Sequence, residues 1–488
     1  MSLSVAPFNE DKYKVLTDRL EVVEIELSHL ERTIRIDAEF YEKGNLIVEK
    51  TLGRLEKKAF TDCFNISDGN HMSISEEFCD NGIPYYRGQD IYHLFIETSN
   101  PLMISKKAFD TPQMKRSYLC KGDVLMSIVG AIIGNSAIVT TDIKATCSCK
   151  LAIMRAKNSN ILPEVLLVYI KTKYGQNQIQ KFKRGAAQTG LLLEDFEQLF
   201  IPQFGSRFQY SIYGIIDQIK RQTESANIIY EDACELLLRY LGLDNYVPNS
   251  SGISVKSFSE SFAISERLDS EYYQPKYEEV LKAISICDIR KLSGANGLVD
   301  IRKSIEPGSE CYCNEGIPFV RVSNISKYGI STPDVMIPFD VVKNIQELYL
   351  KEDTILLSKD GSIGIAYKIE EDMQYVTSGA ILHLTVRNKK EVLPDYLALV
   401  LNSIIVQMQA ERDAGGSIIQ HWKVPEITEV IIPVLTIDKQ RVIADKVKSS
   451  FEMRKKSIEL LELAKIAVEM AIEQGEDKAI LMLKEGIV

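Results

Sequence analysis

The chain has 488 residues, 26% charged and 45% hydrophobic, with 58 Lys/Arg against 68 Asp/Glu and a formal net charge of −10. That length suggests two to four domains with real cores, and ordinary charge, Gly and Pro contents exclude disordered, collagen-like and low-complexity classes. No run approaches the ~18 to 20 apolar residues of a membrane span, no secretory signal is visible at the N-terminus, and nine sparse cysteines point to reduced thiols and a cytoplasmic setting.

Charge is segregated along the chain. Residues 1–100 hold 11 Lys/Arg against 19 Asp/Glu, whereas 101–207 hold 15 against 7. An acidic whole argues against a protein that coats polyanions, but it leaves room for a local basic patch. In chain order, an acidic segment at 1–34 comes first. From 35 to 205, short β-rich runs such as Val124–Ile128 and Leu151–Met154 alternate with Gly, Pro and Asn turns. A helix is predicted after Leu162-Pro163-Glu164, because Pro suits a first helical turn. Ile212, Ile216, Ile219, Thr223, Ala226, Tyr230, Ala233, Leu237 and Tyr240 then step by four and three, the seam of a paired helix, assigned to 206–244. The Pro-, Asn- and Ser-rich stretch that opens at Asn245 reads as a linker, 245–266. A second mixed region spans 267–435, a second long helix 436–475 and a short tail 476–488.

Self-comparison explains this order. Arg35-Ile36-Asp37-Ala38-Glu39-Phe40-Tyr41 recurs as Arg267-Leu268-Asp269-Ser270-Glu271-Tyr272-Tyr273, and Gly82-Ile83-Pro84-Tyr85-Tyr86-Arg87 as Gly316-Ile317-Pro318-Phe319-Val320-Arg321. Asp123–Ser127 answers Thr354–Ser358, Leu162-Pro163-Glu164 answers Leu393-Pro394-Asp395, and Ile201-Pro202 answers Ile432-Pro433, each 231 residues on. The chain reads as a tandem duplication of class α+β: two repeated mixed α/β domains joined by two long helices. Adding 231 to the first seam gives Ile443, Val447, Ser450, Arg454, Ser457, Leu461, Ala464, Val468 and Ala471, apolar at both ends and polar in the middle. A helix of about 35 residues is about 50 Å long. Two such helices, both weakening toward their middles, are expected to pair antiparallel as a coiled coil. The interface expected is Ile212, Ile216, Ile219 and Leu237 with Ile443, Val447, Leu461 and Val468. The plainer alternative packs each helix on its own domain.

Most catalytic signatures are absent from the sequence. There is no Gly-x-x-x-x-Gly-Lys-Ser/Thr phosphate loop, no His-Glu-x-x-His and no Gly-x-Ser-x-Gly elbow. The Asn/Asp-Pro-Pro-Tyr/Phe signature of amino-methyltransferases is also missing; Asn100-Pro101-Leu102-Met103 lacks the second Pro and the aromatic ring. The five histidines have no ligand spacing. Cys147-Ser148-Cys149 and Cys311-Tyr312-Cys313 do not correspond within the repeat, and alternate cysteines on a strand simply share a face, so no metal site is assigned. Asp37 with Glu56-Lys57-Lys58 fits a nuclease pattern too loosely to carry one.

What is present suits a reader of polyanions. Lys171 to Gly190 combines five cations, several Gln and Asn, and two aromatics; Lys and Arg neutralise phosphates, while Gln and Asn pair with adenine edges. The competing reading is a solvated helix face followed by a Gly-rich turn. The counterpart, Arg412 to Lys423, keeps the Gly-rich turn but changes the side chains and holds the sole Trp. Arg87-Gly88-Gln89-Asp90 against Arg321-Val322-Ser323-Asn324 likewise shares an Arg and diverges at its tip. The DNA-contact candidates are therefore Arg87, Gln89, Lys183, Arg184, Gln188 and Thr189 in the first domain, and Arg321, Asn324, Ser417, Gln420 and Lys423 in the second. Lys183 and Arg184 are assigned to phosphate, Gln89 and Gln188 to base edges.

These residues resemble the DNA-specificity subunit of type I restriction–modification systems. The carriers are the Gly-Ile-Pro-x-x-Arg strand, the Gly122-Asp123-Val-Leu-Met-Ser element, the Arg184-Gly-Ala-Ala-Gln-Thr-Gly loop, and Ile-Pro segments leading into helices that bear Gln209 and Gln440. The resemblance implies two target-recognition domains, each reading half of a bipartite duplex-DNA site, with paired helices that set the gap and dock two methyltransferase subunits. It implies no catalysis and no cofactor in this chain; S-adenosylmethionine, ATP and Mg2+ would belong to methyltransferase and restriction (translocase-nuclease) subunits. One departure is that 267–435 counts 18 Lys/Arg against 24 Asp/Glu, so a DNA-facing surface there must be local. Two alternatives stay open: a protein-binding adaptor with a coiled-coil rod, and the recognition subunit of another two-gene restriction–methylation system.

Overall fold

Val124–Ser127 and Ile355–Ser358 are buried along their whole length, which is why they read as continuous apolar runs rather than alternating ones. A computed structural model describes the chain apart from residues 1–8, 19, 34, 97–100, 158–160, 186–188, 245, 249–252, 286, 342, 416–419 and 487–488. Each of those two strands lies inside a four-stranded antiparallel sheet. In the first copy the order is Phe64–Asp68, Leu151–Ala156, Val124–Ser127, Ser136–Ile138. In the second it is Val299–Lys303, Ile381–Val386, Ile355–Ser358, Ala366–Lys368. A three-stranded sheet accompanies each, centred on Phe78–Tyr86 and on Ile317–Val320, with one antiparallel and one parallel neighbour. The duplication thus extends to strand order and direction.

The helices Pro163–Lys171 and Pro394–Leu401 begin with Pro in the first turn and are buried almost throughout, each covering its sheet. The long helices run Ser206–Tyr240 and Ile437–Gln474. The chain divides into two compact units: Met1–Gln222 with Lys456–Val488, and Thr223–Lys455. The division falls inside both long helices, away from the domain edges drawn from the sequence. The sequence predicts a tail at 476–488, but the structure has a helix there, Glu476–Gly486, with Ala479, Ile480 and Leu483 buried in the first unit's core. The predicted linker also carries short helical turns at Phe258–Glu260 and Phe262–Ser265, the first closed by a Ser257–Glu260 capping box.

Within the first unit, Ile212, Ile216 and Ile219 share a core with Leu460, Ala464 and Val468, and Leu461 is half-buried beside them. Ser457 Oγ donates to Gln222 Oε1 at 3.4 Å, and Glu476 accepts from the Gly205 N–H at 2.8 Å. Within the second, Tyr230, Ala233 and Leu237 share a core with Ile443 and Val447. Ser450 Oγ donates to Ala226 O at 2.7 Å, and Lys446 Nζ to Asp232. Numbers rise on one helix as they fall on the other, so the pair is antiparallel in each unit. The polar middle of the second seam thus has partners on the first helix.

Candidate nucleic-acid interface

In the first unit, three loops meet at the end of the central strand. The strand Val124–Ser127 runs into a turn in which Gly130 and Gly134 take φ of +89° and +91°, a region that favours glycine. The Gly134 N–H donates to Ser127 O at 3.0 Å, closing it. The Gly130 N–H donates to Thr189 O at 2.9 Å, and Arg184 and Gly190 exchange hydrogen bonds at 3.0 and 2.8 Å, so a loop is clamped at its base beside the turn. Gly88 lies against the same turn, close to Ile132 and Ser127. Arg87, Gln89, Thr189 and the backbone of Arg184 are thereby brought into one neighbourhood. Gln188 lies outside the described residues.

The second unit repeats this cradle at an offset of 231. Gly361 takes φ +75°, its N–H donates to Gln420 O at 2.9 Å, and Gly415 and His421 exchange hydrogen bonds at 3.1 and 2.7 Å. The Lys359 N–H donates to Ala380 O at 2.9 Å, and Ser378 N–H to Val320 O at 2.9 Å, tying the turn to the strand that precedes Arg321. The side chains differ. The first loop is anchored by the Arg184–Asp195 ion pair, the second by His421 Nδ1 on Asp360 Oδ1 at 2.8 Å. Ser417 lies outside the described residues. Gln420 and Lys423 are exposed, and Lys423 is 3.8 Å from Glu426.

Several candidates have internal duties. Arg184, assigned to phosphate, is held by Asp195, whose carboxyl burial raises above its ordinary range. A phosphate there would compete with that carboxylate. Asp90 accepts the Arg87 N–H at 2.6 Å and pairs with its guanidinium at 3.6 Å; Asn324 accepts the Arg321 N–H at 2.9 Å. Asn324 is therefore a buried turn cap. Arg321 forks onto Asp334 at 2.7 and 2.8 Å.

The stretch Lys171–Phe182 differs most from the polyanion-reader expectation. Lys171 Nζ donates to Ser136 O at 2.7 Å, and burial lowers its pKa to about 8. Gln176, Gln178 and Gln180 spend their amides on the carbonyls of Ile170, Phe200 and Ile133, Asn177 donates to Asn45, and Lys181 pairs with Glu49. Amide-rich composition here satisfies backbone inside the domain. Gln407 and Gln409 do the same in the second copy. The most visible repeat motif is likewise closed on itself: Arg35 grips Asp37 and Arg267 grips Asp269, which holds both carboxyls below the ordinary range. Tyr41 and Tyr273 hydroxyls each donate to the carbonyl of that Arg at 3.0 Å. The anchors Asp195 and Asp360 escaped sequence reasoning, since isolated carboxylates carry no positional signal.

Residues 295–463 match the sequence model of the type I restriction modification DNA specificity domain. The matched stretch is about a third of the chain and contains the whole cradle of the second unit. The first copy repeats the backbone hydrogen bonds of the matched cradle at a fixed offset. The chain is 28% identical over 145 residues to the type I restriction enzyme EcoBI specificity subunit of Escherichia coli, which spans 30% of this chain and 30% of that protein. It is also similar to the type I restriction-modification S subunit from M. genitalium (14% identity, TM-score 0.34, 88% of this chain and 95% of that one). A third similarity is to the HsdS subunit from Thermoanaerobacter tengcongensis (15% identity, TM-score 0.29, 86% and 97%).

Proposed function

We propose that this chain is the sequence-specific DNA-binding subunit of a type I restriction–modification complex, each half reading one part of a bipartite target while the helices dock methyltransferase subunits. The observation that carries the reading is the cradle that recurs 231 residues on, with the same backbone hydrogen bonds holding loops of different side chains. One scaffold with two tips suits two half-sites, because phosphate contacts position a protein while side chains at base edges specify sequence. Exposed Gln89 in one unit and Gln420 and Lys423 in the other stand beside those loops. The chain contributes recognition alone. S-adenosylmethionine is used by the methyltransferase subunits, and ATP and Mg2+ by restriction subunits joining the same cytoplasmic assembly. Among the described residues, no helix is long and apolar enough to cross a membrane.

The test is a base-resolution methylation map of DNA from cells that co-express this chain with the methyltransferase encoded beside it. A split motif with an unspecific gap is expected. A complex that forms yet leaves DNA unmethylated contradicts the proposal and favours an adaptor.

A further inference from the structure

In the second unit, a tight hairpin leaves the recognition domain and ends on the long helices. Its strands, Ile325–Ser326 and Gly329–Ile330, pair antiparallel, and the Tyr328 N–H donates to Ser326 Oγ at 3.2 Å. Lys327 and Tyr328 form the tip. The Tyr328 ring stands edge-on to Tyr230 of the first long helix, with centroids 5.2 Å apart at 73°. The Arg454 guanidinium of the second long helix lies 3.7 Å from the centre of the same ring. Phe451 continues the cluster, 6.2 Å from Tyr230 and 5.8 Å from Tyr367 on the domain's sheet. One tyrosine thus touches both helices at once, by an edge-to-face contact and a cation–π contact.

Its place along the helices gives that contact leverage. The domain's core takes Tyr230, Ala233 and Leu237 from one helix, Leu241 and Leu243 just past its end, and Ile443 and Val447 from the other, and Tyr328 and Phe451 pack against its edge. Tyr230 lies seven residues before Leu237, and Arg454 seven residues after Val447, so the tip engages about 10 Å nearer the helix middles at 1.5 Å per residue. A core confined to the helix ends permits the domain to rock; the tip's contact carries the grip about 10 Å further along both helices and opposes rocking. One base pair alters half-site separation by about 3.4 Å and rotation by about 35°, so a small change of angle is enough to accept a different gap.

We propose that Tyr328 is a positioning residue for DNA recognition: it fixes the second recognition domain on the helix pair, and through that the gap accepted between half-sites. This rests on the reading of the chain as a bipartite DNA reader. The full chain, co-expressed with its methyltransferase, is mapped for methylation at sites of native gap and of gaps one base pair shorter and longer. Tyr328→Ala is expected to raise off-gap methylation, relative to native-gap sites, at least ten-fold, with both half-site sequences unchanged. Tyr328→Phe keeps the ring and is expected to match the wild type. Should the alanine variant fold poorly, Tyr328→Leu keeps apolar bulk without the π face and is expected to relax the gap in the same direction. A strict native gap in the folded Ala or Leu variant overturns the inference, as does a relaxed gap in the Phe variant. Loss of half-site discrimination with the gap still strict also overturns it, since that is a merely structural effect. A wild-type chain that yields no split motif overturns the underlying reading instead.

Discussion

Gln440→Leu removes a clamp between the second recognition domain and the start of its long helix. Gln440 is fully buried; its Oε1 accepts from the Leu393 N–H at 2.9 Å, and its Nε2 donates to Glu391 O at 2.9 Å and Leu435 O at 2.8 Å. Leucine fills a similar volume and makes none of these bonds. Three backbone groups lose their partner, at roughly 1 to 1.5 kcal/mol each, and the added apolar burial returns about 1 kcal/mol. The net loss expected is about 2 to 3.5 kcal/mol. Trp422, the only Trp in the chain, is 1% exposed and sits in the same unit, so its fluorescence during guanidinium titration reports on that unit directly. A loss under about 0.5 kcal/mol, the size of an ordinary surface change, would refute the assignment of this amide to structural duty. Gln209→Leu breaks the corresponding bonds to Leu162 and Phe204 and is expected to destabilise the first unit in the same direction.

Buried His383 bonds Thr377 Oγ1 at 2.8 Å and Arg302 at 3.2 Å, and burial, with Arg302 beside it, lowers its pKa from 6.5 to about 4. The unfolded chain then binds more protons between those values, so stability falls as pH drops through 6.5 to 4, by about 3 kcal/mol in all. His383→Gln removes that component, and parallel pH profiles of unfolding for variant and wild type would contradict it. An added Cβ at Gly175 meets Tyr169 O at 2.2 Å, so Gly175→Ala is expected to cost about 3 kcal/mol or more. Gly130 has open space and only a left-handed φ, so Gly130→Ala costs about 1 kcal/mol; equal shifts in thermal melts would contradict the distinction. Asp195→Asn keeps an acceptor for the Leu192 N–H but releases Arg184 from its ion pair. The slope of log affinity for duplex DNA against log salt is expected to steepen by about one contact, and an unchanged slope would place Arg184 away from phosphate.

The duplication and the long helices were legible because repeats and seam periodicity depend only on residue order. Pro163 and Pro394 marked helix starts for a local steric reason, and both sit in the first turn. The direction of polar side chains was not legible. Composition cannot tell a Gln that reads a base from Gln178, whose amide closes onto the Phe200 backbone in both directions. Asn324 looked like a loop tip, yet it folds back to cap its own turn, because a buried N–H three residues earlier needs an acceptor. Arg35 and Arg267 were legible only as marks of the repeat, and each is consumed by a carboxylate two positions on. The Tyr328 hairpin depends on contacts with Tyr230 and Arg454, far away along the chain, and no local pattern announces it.

The most direct test of the central claim is to replace residues 35–205 with the corresponding domain of a relative of different specificity, and to map methylation in cells that supply the methyltransferase. The account predicts that one half of the split motif changes to the donor's while the other half stays as it was. A motif in which both halves change together, or neither changes, would contradict it.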